Sequence, residues 1–370
     1  MAPGELPRIT HDLPGTGGRI KAQPSHFVVE ELPLYEPCGE GEHVYLRVRR
    51  EGRTTHELSR GLGRLFDLPS RAIGAAGRKD KQALATQTFS LHLHEGDPGE
   101  LAARVTGELG IEVLDASRHT NKLRRGHLIG NRFTIRIADI EDVESALPLA
   151  RATCAAIEER GLANYFGPQR FGGDGANAER GLALLARLAD GKRRRRRPSD
   201  RDRLMLTAWQ AELFNRWLAQ RIERGGFDEL YAGDLAHKTD TGGLFDVEDI
   251  ETERPRFHAR EITYTGPMFG ARMRWPGGRP GDEERELLAR ALEAPASGPL
   301  DESCLRLSGL DGTRRDGRIE PRELSLTLDD GALVVSFALP KGAYATTLLD
   351  ELMKTAPGAG EPEATGSVTA

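Results

Sequence analysis

The chain has 370 residues, enough for two or three domains at the usual ~100–200 residues each and for a full apolar core. Its formal net charge is −5 at pH 7, so a polyanionic partner must be met by local basic patches and not by the charge of the whole molecule. Cys38, Cys154 and Cys304 stand far apart with no CxxC pair, no apolar run is long enough to span a bilayer, and the N-terminus has no apolar signal core. These features argue against a disulfide scaffold, a thiolate metal site or a membrane protein, and predict a cytoplasmic chain.

Residues 1 to about 17 are rich in Pro and Gly and are expected to be extended. Strands are predicted at 27–32 and 43–49, the second by its alternation of apolar and polar residues. Thr54 and Glu57 have capping-box spacing for a helix with Leu58, Leu62, Leu65 and Phe66 on its apolar face, ending before Pro69. A short buried strand is expected at 72–76 and a half-buried one at 88–93. Between them lies Gly77-Arg78-Lys79-Asp80-Lys81-Gln82, a loop carrying one carboxylate among cations. Neighbouring cations favour the ionised carboxylate, and flanking strands would hold it in place. Taken alone, such a loop is a charged, solvated turn.

Residues 118–132 carry Arg118, Lys122, Arg124, Arg125 and Arg132 with no acidic residue, and run into a strand predicted at 133–137. A helix over about 143–160 is closed by Gly161. Residues 164–173, Asn-Tyr-Phe-Gly-Pro-Gln-Arg-Phe-Gly-Gly, form a Gly-rich loop whose aromatics serve equally well to anchor it on the core or to meet a ligand. Asn177 is placed to cap a helix through Leu188, and the basic run 192–197 before Pro198 is taken as a solvated linker and domain boundary. An amphipathic helix follows at 204–222, with Trp209 and Trp217 expected in the core. Short strands and loops are expected over 230–280 and a charged helix over 282–293. A hairpin at 324–328 and 333–337 turns about Asp329-Asp330-Gly331, a helix begins at 343, and 357–370 is expected to be disordered.

No phosphate-binding GxxxxGK[ST] or HExxH is present, and Ile20 stands where a dinucleotide fingerprint after Gly15-Thr16-Gly17 would need its third glycine. His92 and His94 share a strand face, but without a third ligand they read as exposed strand histidines. A mechanism with no cofactor and no metal is therefore expected. What remains is a loop aspartate, a separate Lys21, an Asn-aromatic-Gly loop and an acid-free basic segment. An enzyme acting on a base within RNA needs that combination: cations for the backbone, an aromatic for an extruded base and a carboxylate for chemistry.

Gly77-x-Lys79-Asp80-x-x-Ala83-x-x-Thr86-Gln87 resembles the Gly-x-Lys-Asp-x-x-Ala-x-Thr-x-Gln signature of the TruD family of tRNA pseudouridine synthases, departing where Ala85-Thr86-Gln87 replaces Thr-x-Gln. The similarity continues in Lys21-Ala22-x-Pro24-x-x-Phe27-Val28-Val29-x-Glu31, Gly39-x-Gly41-Glu42-His43 and Lys122-Leu123-Arg124-x-Gly126-x-Leu128-x-Gly130-Asn131-x-Phe133. Asn164-Tyr165-Phe166-Gly167-x-Gln169-Arg170-Phe171-Gly172 and Phe337-x-Leu339-Pro340-x-Gly342-x-Tyr344-Ala345-Thr346 extend it, with weaker matches over about 190–310. His26 stands where an acidic residue is common.

The resemblance implies an α+β fold: a pseudouridine-synthase core, with a mixed, mainly antiparallel sheet and flanking helices, carrying an inserted α/β domain. The division it implies is 1–189 and 313–356 for the core, 190–312 for the insertion and 357–370 for the tail, with RNA in a basic cleft between core and insertion. It also implies conversion of uridine to pseudouridine in tRNA, at the D-stem position 13 in bacterial members. By the same resemblance Asp80 is the nucleophile, adding to C6 of the uracil or attacking C1′ of the ribose. Lys21 is its ion-pair partner, Phe166 the stacking surface, and Asn164 either orders the loop or bonds Asp80. Arg78, Lys79, Lys122, Arg124, Arg125 and Arg170 are candidate RNA contacts. No obligate protein partner is implied. Two rivals are an RNA-binding or chaperone protein of the same fold without turnover, and a glycosidase or glycosylase using Asp80; the latter lacks an evident second carboxylate.

Overall fold

The computed structural model of the chain describes residues 6–20, 23–189, 198–295 and 298–355. In chain order its first elements are β1 (Phe27–Pro33), β2 (His43–Arg50), α1 (Thr55–Leu65), β3 (Ile73–Ala75), β4 (Leu84–His92), α2 (Pro98–Leu109), β5 (Glu112–His119), β6 (Leu128–Ile137) and α3 (Val143–Arg160). Next come β7 (Leu162–Ala163), α4 (Asn177–Ala189), α5 (Asp200–Glu223), β8 (Leu235–Lys238), β9 (Leu244–Asp246), α6 (Ile250–His258) and β10 (Ile262–Met268). The last are α7 (Gly278–Glu293), α8 (Cys304–Leu307), β11 (Thr313–Asp316), β12 (Arg318–Ile319), β13 (Arg322–Asp329), β14 (Ala332–Pro340) and α9 (Ala345–Met353). The basic run 192–197 and the tail 357–370 lie outside the described residues, as does Lys21. Among the described residues no helix is long and apolar enough to cross a membrane.

The chain folds as two compact units. The sheet unit contains residues 13–155, 321–345 and 352–355 of those described; the helical unit contains 6–12, 156–320 and 346–351. The sheet unit is built on a mixed, mainly antiparallel sheet of order β13-β14-β6-β1-β4-β2-β5, with β3 added against β4. Among the described residues only the β1–β4 pairing of this sheet is parallel, with Val28 opposite Leu84 and Glu30 opposite Thr86. Alternation along β2 sends Val44, Leu46 and Val48 to one face, where they pack with Leu58 and Leu62 of α1, Val105 of α2, and Phe89 and Leu91 of β4. Tyr45 points to the other face, against Leu123 and Leu128.

Local signals account for much of this unit. The Thr54–Glu57 capping box forms in both directions at the start of α1. The Asp329-Asp330-Gly331 turn joins β13 to β14. Two expectations need correction. The strand predicted at 88–93 begins at Leu84 and is buried on both faces along much of its length, because β1, β2 and β3 all pair with it. Helix α2 was not expected at all. Its Asp97 cap and Pro98 start are legible, but Val105 alone is fully buried, so its apolar periodicity is thin.

The helical unit is organised around α5, whose Leu206, Trp209, Leu213, Phe214, Trp217 and Leu218 are buried, so both tryptophans lie in the core as expected. Against it pack α4, α7 and β10, the last buried along its whole length in a sheet of order β11-β10-β8-β9. Gly266 of β10 must be glycine: a Cβ there would lie 2.3 Å from the Trp217 ring. Helix α6, capped by Asp249, interrupts a stretch expected to hold only strands and loops; its internal Pro255 and mostly charged sequence conceal it. Asn177 opens α4 as its first residue and does not precede it as a cap.

Candidate active site

The Asp80 loop joins β3 to β4 within the sheet unit, and its geometry starts from a polar chain at its base. Thr55, the first residue of α1, accepts a hydrogen bond from the Lys79 N–H (3.1 Å) and donates its own hydroxyl to Gln87 Oε1 (3.0 Å). Gln87 Nε2 in turn donates to the Gly77 carbonyl (2.7 Å). Ala83 and Gln87 are fully buried, which gives these two motif positions a structural reason.

Three buried charged groups, Lys79, Glu31 and Arg50, brace the loop. Lys79 Nζ lies 2.8 Å from Glu31 Oε2, with side chains only 4% and 3% exposed, and Glu31 also accepts the Thr88 N–H of β4. Arg50, the last residue of β2, is 2% exposed. It donates to the carbonyls of Lys79 (2.9 Å) and Asp80 (3.3 Å), and to that of Arg53. Burial draws the Arg50 guanidinium below its usual value, while the charges of Asp80 and Glu57 act in the opposite sense. The Asp80 carboxylate, half-buried at the loop tip, accepts the Gln82 N–H at 3.1 Å. The tip is thus held by backbone contacts on buried groups.

The expected RNA contacts divide by exposure. Arg78, Arg124 and Arg125 are exposed. Lys122 is half-buried with its ammonium on the Arg71 carbonyl. Lys79 is not presented to solvent: its ammonium belongs to the Glu31 pair, so it fits a bracing role and not a phosphate contact. The 118–132 segment is pinned to the sheet where Leu123 N–H donates to Ser90 Oγ (2.9 Å). Gly74 makes that approach possible, since a Cβ there would sit 2.1 Å from the Leu123 carbonyl oxygen.

The Asn164–Phe166 loop belongs to the helical unit and is held differently. Asn164 is buried; its Nδ2 donates to the Asp316 carbonyl (2.9 Å), and its carbonyl and side-chain oxygens accept from Arg315. Asn215 of α5 grips Phe166 from both sides of its peptide unit, accepting its N–H (2.8 Å) and donating to its carbonyl (2.9 Å). The Phe166 ring is 9% exposed, edge-to-face with Phe214 (centroids 5.6 Å apart). The Arg315 guanidinium lies 4.0 Å above its centroid, with Arg170 at 5.8 Å. Sequence reasoning missed Arg50 and Arg315, and met Asn215 only in a weaker match, Leu213-Phe214-Asn215, without giving it a role. Nothing local distinguishes Arg50 from an exposed strand-end arginine, whereas Glu31 and Gln87 were already inside the matched blocks.

The family profile described as tRNA pseudouridine synthase D (TruD) matches residues 6–190 and 195–352. The chain belongs to the tRNA pseudouridine synthase D family. Relatives in that family include the tRNA pseudouridine synthase D of Anaeromyxobacter dehalogenans strain 2CP-C, 45% identical over 95% of this chain and 97% of its own. That of Thermus thermophilus is 40% identical over 95% of this chain and 93% of its own. A solved structure from Methanosarcina mazei, assigned to tRNA pseudouridine synthase D, superposes with a TM-score of 0.69 at 22% identity, covering 93% of this chain and 95% of that one. At that identity the superposition establishes the fold. Membership in the TruD family makes the chain an isomerase of the pseudouridine-synthase type.

Proposed function

We propose that the chain isomerises uridine to pseudouridine in tRNA, at the D-stem position 13, with Asp80 as nucleophile on a base flipped out of the RNA. The observation that carries this reading is the half-buried Asp80 carboxylate on a loop gripped through two consecutive carbonyls by the buried Arg50 guanidinium. The carboxylate forms a bond to C6 of the uracil or to C1′ of the ribose, the N1–C1′ bond breaks, and the base rotates. The C5–C1′ bond then forms, C5 gives up its proton to solvent or a nearby base, and the carboxylate is released. Nothing is oxidised or reduced.

Lys21 is proposed as the ion-pair partner that orients Asp80, on the strength of the matched Lys21-Ala22-x-Pro24 block. Phe166 is proposed as the stacking ring. Its cover by Arg315 supports a role in which the planar guanidinium either yields its place to a base or extends the stack. Asn164, held by Arg315 and Asp316, orders that loop. Arg78, Lys122, Arg124, Arg125 and Arg170 are proposed as phosphate contacts; Lys79 is reassigned to bracing the loop. A core interrupted in sequence by an insertion over 190–312 is supported by a helical unit whose main segment, Ala156–Glu320, falls in the chain between the sheet unit's segments Leu13–Ala155 and Pro321–Ala345. Cytoplasmic residence follows from the tRNA substrate.

The test uses unmodified tRNA transcript tritiated at uracil C5, without added cofactor. Wild type should release tritium to water from one D-stem uridine, and Asp80→Asn should lose at least ~10³-fold in rate while still binding RNA. Release that persists in Asp80→Asn would remove Asp80 as nucleophile. RNA binding without release from any tRNA by wild type would favour a non-catalytic RNA-binding protein.

A further inference from the structure

We propose that Glu42, His92 and His94 form a divalent transition-metal site on the sheet unit, with Zn²⁺ as the fitting ion. The sequence-based expectation that the histidine pair lacks a third ligand fails because the missing ligand is 50 positions away. β2 pairs with β4 so that His43 lies opposite His92, which sets Glu42, one residue before β2, beside the end of β4. The Leu93 N–H donates to the Glu42 carbonyl at 2.9 Å and fixes that juncture. His92 closes β4, and His94, two residues on, stays near the same face.

The three side chains already converge. Glu42 Oε2 is 3.3 Å from His92 Nε2, and Glu42 Oε1 is 3.8 Å from His94 Nδ1. One ligand atom from each lies within 4.8 Å of the others. Tetrahedral zinc, with bonds of ~2.0–2.1 Å, separates its ligands by ~3.3 Å, so small rotations of these exposed groups close the site. The rings are prearranged: His92 stacks on His43 (centroids 4.8 Å apart, 25° between planes) and lies 4.6 Å from the His94 ring. His43 Nδ1 is buried with no hydrogen-bond partner among the described residues, so its imidazole serves here as a packing surface that restrains His92. Two imidazoles and one carboxylate suit zinc and leave a fourth position for water, whereas magnesium and calcium prefer all-oxygen sets.

With side chains 40–65% exposed, these groups contribute little as a simple ion pair, whereas a divalent ion engages all three and ties the entry of β2 to the exit of β4. At ~3.3 Å per residue, the nine-residue β4 sets this site about 26 Å from the strand end that follows the Asp80 loop, so the ion takes no part in isomerisation.

The experiment is calorimetric titration of chelator-treated protein with ZnCl₂, paired with visible absorption on adding Co²⁺. Wild type should bind one equivalent of Zn²⁺, gain melting temperature, show the visible bands of four-coordinate Co²⁺, and ignore Mg²⁺ at the same concentration. Glu42→Gln and His94→Ala, both at exposed positions, should each weaken Zn²⁺ binding by about ten-fold or more and lose the Co²⁺ bands. No binding by wild type, or affinity and spectra unchanged in both variants, would overturn the proposal, the second outcome placing the ion elsewhere.

Discussion

The Asp80 loop and the Asn164–Phe166 loop are both irregular segments beside short strands, yet they are stabilised by opposite means. The first rests on charge: the buried Lys79–Glu31 pair and the buried Arg50 guanidinium hold its backbone behind the half-buried Asp80. The second rests on amides: Asn164 and Asn215 satisfy the loop's peptide groups, and its aromatic ring is covered by Arg315. Under the proposed mechanism the carboxylate meets the substrate directly, and its support reaches the loop through the Lys79 and Asp80 carbonyls. Under the proposed stacking role, the covered flat face of that ring is the one a base would meet.

The contrast predicts different failures. Lys79→Met leaves Glu31 as an uncompensated buried charge and should destabilise the sheet unit by ~3–5 kcal/mol in chemical denaturation. Glu31→Leu combined with Lys79→Met should recover most of that loss; if the double variant is as unstable as the single one, charge compensation is not what Lys79 supplies. Asn215→Leu strands the Phe166 N–H and carbonyl, and should cost ~1–3 kcal/mol with little loss of turnover at saturating RNA. Phe166→Leu keeps the loop's hydrogen bonds and removes the flat ring, so it should act on KM, by ~1–3 kcal/mol, and cost about 1 kcal/mol of stability through the lost Phe214 and Arg315 ring contacts. A fall in turnover with unchanged KM would contradict a stacking role.

The smallest effect concerns pH. Glu351 of the helical unit is buried and accepts from Ile9 N–H (2.9 Å), Thr10 N–H (3.0 Å) and the Thr10 hydroxyl (2.6 Å), and burial pushes its carboxyl above the usual value. A raised carboxyl binds its proton more tightly in the folded state. Its contribution is therefore fully present below the unfolded value near ~4.3 and lost as pH rises through the folded one. Melting temperature should fall over that rise in wild type, and Glu351→Gln should flatten the slope whatever it does to the midpoint.

Features that depend on neighbours in the chain were legible from the residues alone. The Thr54–Glu57 box, the Asp329-Asp330-Gly331 hairpin, the tryptophan face of α5 and the placement of Asp80 between two strands each need only a few consecutive positions, because capping, turn geometry and periodicity are local. Even α2 carried its Asp97 and Pro98 start, though too few apolar residues to be noticed. The pairings that hold the two loops are between residues far apart in the chain: Glu31 with Lys79, Arg50 with the Asp80 carbonyl, Asn215 with Phe166; Glu42 with His92 is just as distant. A charged residue is solvated by default, and its local pattern is the same whether it faces water or a buried partner. Sequence therefore determined which loop carries the carboxylate. Tertiary pairing, through the parallel β1–β4 register and the antiparallel β2–β4 register, decided which charges lie buried behind it.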